Sequence, residues 1–201
     1  MLDFWFSVLS LIPFYFIGAI PAGFLIAKSH GIDITAQGSG NVGATNVGRV
    51  LGIRAGIATL LIDLLKGIIA VLIARLIFNN SVFYGSAGAV VVCGHCFSIP
   101  GKLRGGKGVA TSFGVLLIFN LWTALLALGV FILVFWRSRI VSLSSISAAL
   151  SAPIFAILLG ADDSIFYAIS FIALLSVYRH NENLNRLLSG TEKQFSLAKK
   201  D

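Results

Sequence analysis

The chain has 201 residues, of which 57% are hydrophobic and only 11% are charged, with a net charge of +7 and a mean hydropathy of +0.95. A soluble domain is about half apolar and about a quarter charged, so this chain has too few polar residues to cover a water-exposed surface. Its basic residues lie between apolar runs rather than on one amphipathic face. This arrangement argues for the cytoplasmic side of a membrane and an anionic small substrate, and against nucleic acid as a partner.

The first apolar run covers residues 4–27. It is too long for the apolar region of a removable signal peptide, and no basic residue precedes it, so it predicts a retained membrane-spanning helix. Further apolar runs follow at residues 55–78, 82–99, 109–136, 140–160 and 164–178.

The run at residues 109–136 decides the topology, because it is long for one helix of about 20 residues and short for two. If the chain turns back near Asn120, thirteen of the fifteen Lys and Arg residues lie in the cytoplasm and only Arg75 lies outside. If the run crosses once, six lie inside and eight outside. The positive-inside rule therefore predicts an all-α integral membrane protein with seven transmembrane helices, the N-terminus outside and the C-terminus in the cytoplasm. The fourth and fifth helices are then short, at about 21 Å each.

No internal repeat or linker divides the chain, so residues 1–201 are predicted to form a single polytopic membrane domain. Three segments rich in Gly, Asn, Ser, Arg and Lys face the cytoplasm in this topology: the loops at residues 38–49 and 101–111, and the tail at residues 178–192. Because ordinary connections between membrane helices are short, these three motifs are the candidate functional regions.

The first motif, GSGNVGATNVGR, contains the string GxGxxG at Gly38, Gly40 and Gly43. A dinucleotide site needs that string between a strand and a helix, whereas here it lies between two membrane spans, which excludes a dinucleotide-binding fold. Glycine nevertheless lets backbone N–H groups approach an anion closely, and Arg49 has a guanidinium fork suited to phosphate. Neutral donors complete the predicted phosphate-binding set: Ser39, Asn41, Thr45 and Asn46.

The second motif, GKLRGGKGVAT, matches the GxxxxGK part of a nucleotide-binding loop, but Gly108 replaces the Ser or Thr that would hold Mg²⁺, and no strand precedes it. Cations and glycines still precede the N-terminus of the fourth helix, where anions are favoured. These residues are Lys102, Arg104, Gly105, Gly106, Lys107 and Gly108. Lys107 is the preferred phosphate ligand, whereas Lys102 and Arg104 are explained equally well as charges that set the topology.

The third motif is YRHNENLNRLLSGTE at residues 178–192. If the last span continues as a helix, His180 and Asn183 are neighbours at positions i and i+3, and Arg179 and Arg186 share the face of Asn183. A surface helix end would account for the charges but not for this run of amide and imidazole side chains.

Two pairs of polar residues lie inside predicted spans. Asp63 is about 14 Å into the second span, with Lys66 one turn away. Intramembrane charges are usually functional or paired, so structural pairing and catalysis are equally open for these two residues. Ser142 and Ser145 begin the sixth span at positions i and i+3, and either face a site or bond to the backbone of their own helix.

The strings GSGNVGATN, GGKGVAT and YRHNENLNRLLSG, in this order and with DLLKG at residues 63–67 between the first two, resemble the bacterial acyl-phosphate-dependent glycerol-3-phosphate acyltransferases, the PlsY family. The resemblance extends from about Gly18 to Glu192. It implies a seven-span enzyme of the bacterial inner membrane with a cytoplasmic active site. The implied reaction transfers a fatty acyl group from acyl phosphate to the 1-hydroxyl of glycerol 3-phosphate, giving lysophosphatidic acid and phosphate in the first step of phospholipid synthesis. The implied partners are both substrates, membrane lipid and an enzyme that makes acyl phosphate; no cofactor or metal is implied.

The same resemblance places the family's functional positions on Ser39, Asn41, Arg49, Lys107, Ser142, His180 and Asn183. The alternative is a transporter of a phosphorylated anion, because such a protein also has basic, glycine-rich loops and broken helices. Transporters usually contain two halves of similar topology, and this chain shows no repeat. A membrane scaffold without chemistry would leave the three motifs unexplained.

Overall fold

A computed structural model describes residues 8–98 and 105–195. Within these ranges the chain is helical, without a strand. The helices are α1 (Ile12–Ala19), α2 (Ala22–Ser29), α3 (Ala44–Leu51), α4 (Ile53–Ile77), α5 (Ser81–Phe97), α6 (Val109–Phe119), α7 (Leu121–Ser138), α8 (Val141–Leu158), α9 (Asp163–Arg179) and α10 (Asn181–Leu188), with one 3-10 turn at Ile34–Ala36.

Four helical stretches are long and apolar enough to cross a membrane: Ile12–Ser29, Ile53–Ile77, Leu121–Ser138 and Val141–Leu158. The apolar helices α5 and α6 are shorter. Large apolar side chains are exposed on the outer faces of these helices, among them Leu61, Leu76, Trp122, Leu133 and Leu158. Such faces are stable against lipid tails, so the prediction of a helical membrane protein is confirmed.

The predicted break at Asn120 is present. Helix α6 ends at Phe119, Asn120 is extended with a φ of −157°, and its side chain caps α7 by accepting a hydrogen bond from the Thr123 N–H at 2.9 Å. The fourth predicted span is short, as expected, because α6 has 11 residues.

The prediction of a short fifth helix is wrong. Helix α7 has 18 residues and continues past Trp136 through Arg137 to Ser138. At 1.5 Å per residue its length is about 27 Å. The apolar run ends at Trp136, but a terminal arginine extends its charged group towards water while its backbone remains helical. The helix ends only at Arg139, whose φ of 59° is left-handed.

The first predicted span is divided in the structure. Helix α1 ends at Ala19, and α2 begins at Ala22 after Pro21, which has no backbone N–H to donate within a helix. The carbonyl of Ile20 at this break accepts hydrogen bonds from the Ala22 N–H at 3.1 Å and from the Lys66 ammonium at 3.0 Å.

Glycines allow two pairs of helices to pack with their backbones in contact. A Cβ atom at Gly18 in α1 would lie 1.9 Å from the Val91 carbonyl oxygen in α5. A Cβ atom at Gly67 in α4 would lie 2.3 Å from the Thr111 carbonyl oxygen in α6. Small residues at helix contacts are typical of membrane proteins, where close packing replaces the hydrophobic effect. Because α6 begins beside Gly67, about 21 Å along α4 from Ile53, residues 105–111 of the second motif lie deep in the helix bundle.

Candidate active site

The backbone of the second motif packs against the end of α5. The Gly106 N–H donates to the His95 carbonyl at 3.1 Å. A Cβ atom at Gly105 would lie 2.2 Å from the Cys96 carbonyl oxygen, and one at Gly106 would lie 2.3 Å from His95 Nε2. These positions therefore require glycine because the backbone approaches its neighbours so closely. Gly108, with a φ of 81°, then begins α6. The predicted residues Lys102 and Arg104 lie outside the described residues.

The third motif binds the second one directly. Arg179 donates from Nε to the Gly106 carbonyl at 3.2 Å and from Nη2 to the Gly105 carbonyl at 3.1 Å. The Lys107 ammonium donates to Asn183 Oδ1. The last span does not continue as one helix, because α9 ends at Arg179 and α10 begins at Asn181, with His180 at the junction. The two motifs nevertheless meet at one site.

Glu192, which the sequence did not single out, is the centre of this site. Its Oε1 accepts hydrogen bonds from Ser142 Oγ at 2.7 Å and Asn183 Nδ2 at 2.6 Å, and its Oε2 accepts from Arg186 Nε at 2.6 Å. Partial burial raises the pKa of Glu192, but the hydrogen bonds from Ser142, Arg186 and Asn183 outweigh it and hold the pKa below its usual value. The third motif contains two carboxylates, Glu182 and Glu192, and nothing in its sequence distinguishes Glu192 from Glu182.

The serines at the start of α8 have separate roles. Ser144 and Ser145 donate to the carbonyls of Ile140 and Val141 in their own helix. Such bonds are the ordinary behaviour of a serine in a membrane helix. Ser142 instead donates to Glu192, 50 residues away in the chain. The structure therefore separates Ser142, which bonds to Glu192, from Ser145, which bonds only to its own helix.

Burial sets the charge of two predicted site residues. It lowers the pKa of Lys107 to about 8, although the nearby Glu192 carboxylate acts in the opposite direction. It also lowers the pKa of His180 to about 4, and the positive charge of Lys107 adds to this effect. His180 is therefore neutral at pH 7. Its Nδ1 lies 2.7 Å from the Ser176 carbonyl oxygen and must carry the proton, so Nε2 has the free lone pair.

The first motif is held together by Asn46. Its side-chain amide donates to the carbonyls of Gln37 and Asn41, and its Oδ1 accepts from the Ser39 N–H. A Cβ atom at Gly38 would lie 2.2 Å from that oxygen, and Gly38 has a φ of 63°. Asn46 thus shapes the loop through both the N–H and the oxygen of its side-chain amide. Contact of Asn46 and Thr45 with substrate stays a prediction.

The first motif borders the second without a hydrogen bond between them in the described ranges. Val42 lines a recess together with Gly105, Gly106, Asp63 and His95. Ser39 is exposed and Asn41 accepts a hydrogen bond from the Gly43 N–H within the loop. Arg49 is half-buried on α3 and makes no hydrogen bond or ion pair with a residue that the structure describes. Of the predicted site residues, Lys107, Ser142 and Asn183 are therefore linked by hydrogen bonds, directly or through Glu192. Arg49 is not part of this network in the described residues.

The intramembrane charges Asp63 and Lys66 are paired. The Lys66 ammonium lies 2.8 Å from Asp63 Oδ1, and both side chains are buried. Of the two alternatives, structural pairing and catalysis, the structure shows the pairing.

Replacing Glu192 with glutamine should lower kcat/KM by about 10- to 10²-fold, because a charged hydrogen-bond acceptor contributes about 1.5–3 kcal/mol. The amide keeps the shape of the side chain but loses its charge, so Arg186 is left without an ionic partner. Steady-state kinetics on purified protein would measure this, with the exposed Glu182→Gln as a matched control. Equal kcat/KM in the two variants would contradict the role given to Glu192.

The family comparison agrees with these motifs. The family model described as glycerol-3-phosphate acyltransferase matches residues 8–190. The glycerol-3-phosphate acyltransferase of Fusobacterium nucleatum subsp. nucleatum is 45% identical over 199 residues, covering 97% of this chain and 99% of that protein. The protein of the same name from Geotalea daltonii is 42% identical over 189 residues, covering 94% and 97%.

Two crystal structures of PlsY (YgiH), an integral membrane glycerol 3-phosphate acyltransferase, share the fold. Its glycerol 3-phosphate form matches with a TM-score of 0.90 over 94% of this chain and 96% of that chain, at 40% identity. Its lysophosphatidic acid form matches with a TM-score of 0.88 over 95% and 96%, also at 40% identity. Agreement in sequence and in fold over nearly the whole length shows that the chain belongs to the family of integral membrane glycerol-3-phosphate acyltransferases.

Proposed function

We propose that the protein transfers a fatty acyl group from acyl phosphate to the 1-hydroxyl of glycerol 3-phosphate, giving lysophosphatidic acid and phosphate. The observation that carries this proposal is the junction of the second and third motifs, where Lys107, Ser142, Asn183 and Arg186 converge from separate segments beside apolar helices. Two phosphorylated substrates, one with a fatty chain, require such donors next to lipid. The substrate and product named for the PlsY structures support the same acceptor and product.

The hydrogen bonds of Glu192 support phosphate as the group that this site recognises. A carboxylate is an oxyanion, and here it is held by a hydroxyl, an amide and a guanidinium. These three donor types also suit the oxygens of a phosphate group. The Lys107 ammonium next to them adds the positive charge that a phosphate dianion needs.

The chemistry needs no covalent enzyme intermediate. Acyl phosphate is an activated mixed anhydride, so the hydroxyl oxygen of glycerol 3-phosphate can attack its carbonyl carbon directly. The new C–O ester bond forms as the bond from the carbonyl carbon to the phosphate oxygen breaks. The hydroxyl proton passes to an oxygen of the departing phosphate. The protein then contributes mainly by positioning two phosphates and neutralising their charge.

His180→Ala should therefore weaken the enzyme without abolishing turnover. A group with a pKa of about 4 is a poor proton acceptor at pH 7, although its neutral Nε2 suits a hydrogen bond from a substrate hydroxyl. We expect the turnover rate to fall by less than about 10²-fold, which is the smallest contribution usually made by a general base. Turnover by purified protein measures this, with the exposed His30→Ala as control. Complete loss of turnover with intact substrate binding, or an acyl-enzyme adduct in mass spectra, would refute the mechanism.

The proposal includes seven spans in the bacterial inner membrane, with the N-terminus outside and the site facing the cytoplasm. Asp162 precedes α9 and Lys193 follows α10, so they should lie on opposite sides. In a background without Cys93 and Cys96, Asp162→Cys should react with an impermeant thiol reagent from outside, and Lys193→Cys only after the cytoplasmic face is opened. The reverse labelling pattern would contradict the topology.

Product formation separates this enzyme from a transporter of phosphorylated anions. Purified protein in detergent has no compartments, so a transporter would leave its substrates unchanged. The proposed enzyme should convert palmitoyl phosphate and glycerol 3-phosphate into equal amounts of lysophosphatidic acid and phosphate. Absence of product in detergent, together with glycerol 3-phosphate uptake by proteoliposomes, would favour the transporter.

A further inference from the structure

Three buried ionisable side chains lie beneath the second motif and take no part in the proposed chemistry. Asp63, Lys66 and His95 are 3%, 5% and 7% exposed. Lys66 Nζ lies 2.8 Å from Asp63 Oδ1 and donates to the Ile20 carbonyl at 3.0 Å. His95 Nδ1 lies 3.4 Å from the same Asp63 oxygen. The three groups therefore connect α4, α5 and the break in the first span.

The opposite edge of the His95 ring contacts the second motif. A Cβ atom at Gly106 would lie 2.3 Å from His95 Nε2, and the Gly106 N–H donates to the His95 carbonyl. The imidazole thus fills the space between the Asp63 carboxylate and the residue that immediately precedes Lys107. Because the ring is buried and in contact with Asp63 on its other edge, it cannot move aside without cost.

The glycine pair before Lys107 is supported from two sides. Arg179 holds the carbonyls of Gly105 and Gly106 from α9, and His95 supports the same backbone from α5. A functional side chain must be held to about 0.5 Å by the groups around it. In this segment the glycines have no side chains of their own to pack, so neighbouring groups must supply that rigidity.

We propose that His95 is a positioning residue: packed against Asp63, which is itself paired with Lys66, it fixes the backbone at Gly105 and Gly106 and so places the Lys107 ammonium beside Asn183. This inference rests on the proposed role of Lys107 in binding phosphate. Pairing of charges alone does not account for His95, because Lys66 already neutralises Asp63. Charge pairing also does not explain why residue 106 is a glycine, whereas the close approach of the His95 ring does.

His95→Asn is the most informative single variant. The asparagine amide takes the place of the Nδ1 edge beside Asp63, but it withdraws from Gly106. We expect kcat/KM for acyl transfer to fall by about 10²-fold, the size of effect that a misplacement of 1 Å produces. The melting temperature and the amount in the membrane should match those of Cys93→Ala, a control in the same helix. A purely structural role would instead lower stability and leave kcat/KM of the folded fraction unchanged.

A second variant tests the contact itself. Gly106→Ala should be strongly impaired, because its Cβ meets the imidazole, and adding His95→Asn should restore part of its activity by making room. Wild-type kinetics in His95→Asn, or a double variant no better than Gly106→Ala, would overturn the inference. If Gly106→Ala does not fold, the kinetics of His95→Asn decide alone. Wild-type protein that makes no lysophosphatidic acid would refute the proposed function instead, so the two failures are distinguishable.

Discussion

Lys107→Ala is expected to lose about 2–4 kcal/mol of transition-state stabilisation, the range for a charged donor in a water-excluded site. The side chain is half-buried, donates to Asn183 and lies at the point where the second and third motifs meet. Removing it takes away the ammonium that is proposed to bind phosphate. Steady-state kinetics at matched membrane levels would measure the loss, with the exposed Lys193→Ala as control. Near wild-type turnover of Lys107→Ala would contradict its assignment.

The pH dependence of KM gives an independent check on phosphate binding by Lys107. Its pKa is lowered to about 8 in the structure without substrate. The ammonium that binds phosphate is therefore present below this pH and lost above it, so KM for the phosphorylated substrate should rise as the pH increases through about 8. Lys107→Arg should remove this rise even where its activity is low, because a guanidinium stays charged. A KM that is constant up to pH 10 in the wild type would exclude a titrating Lys107 from substrate binding.

Arg49→Ala is expected to cost a similar amount, about 2–4 kcal/mol. Arg49 is half-buried on α3 beyond the glycine loop, and its guanidinium has no partner among the residues that the structure describes. Arg49→Lys should not restore full activity, because an ammonium cannot replace a bidentate fork. The exposed Arg54→Ala is the matched control from the same region. Full activity in Arg49→Lys would show that only charge is needed, and full activity in Arg49→Ala would remove Arg49 from the site.

The parts of the fold that the sequence predicted are those controlled by local chemistry. Asn120 interrupts an apolar run and caps the next helix, so the break between α6 and α7 was visible as a polar residue at the right place. The end of α7 was misplaced because hydropathy marks where apolar side chains stop, whereas the helix stops where the backbone turns at Arg139. The break at Pro21 has a sequence signal, the proline, but the apolar residues on both sides of it predict one continuous span.

The sequence predicted which types of residue form the site but not which residues contact one another. The motifs supplied Lys107 and Asn183 as candidates, because phosphate requires cations and neutral donors. Ser142 was a candidate from its place at the start of the sixth predicted span and from the family resemblance. Their meeting depends on tertiary packing, since Lys107 and Asn183 are 76 residues apart in the chain. Glu192 was not predicted, because a carboxylate repels phosphate and its three donors come together only in the folded chain. The contact between His95 and Gly106 could not be predicted from the sequence either, because only tertiary packing brings the two residues together.

A comparison of acyl donors tests the central claim most directly. Purified protein would be given glycerol 3-phosphate with either palmitoyl phosphate or palmitoyl-CoA, and lysophosphatidic acid would be quantified by mass spectrometry. The proposed mechanism depends on a phosphate leaving group that the basic site can hold and that accepts the proton. We therefore expect lysophosphatidic acid and an equal amount of phosphate from palmitoyl phosphate, and no product from palmitoyl-CoA. Product from palmitoyl-CoA alone, or from neither donor, would contradict the account.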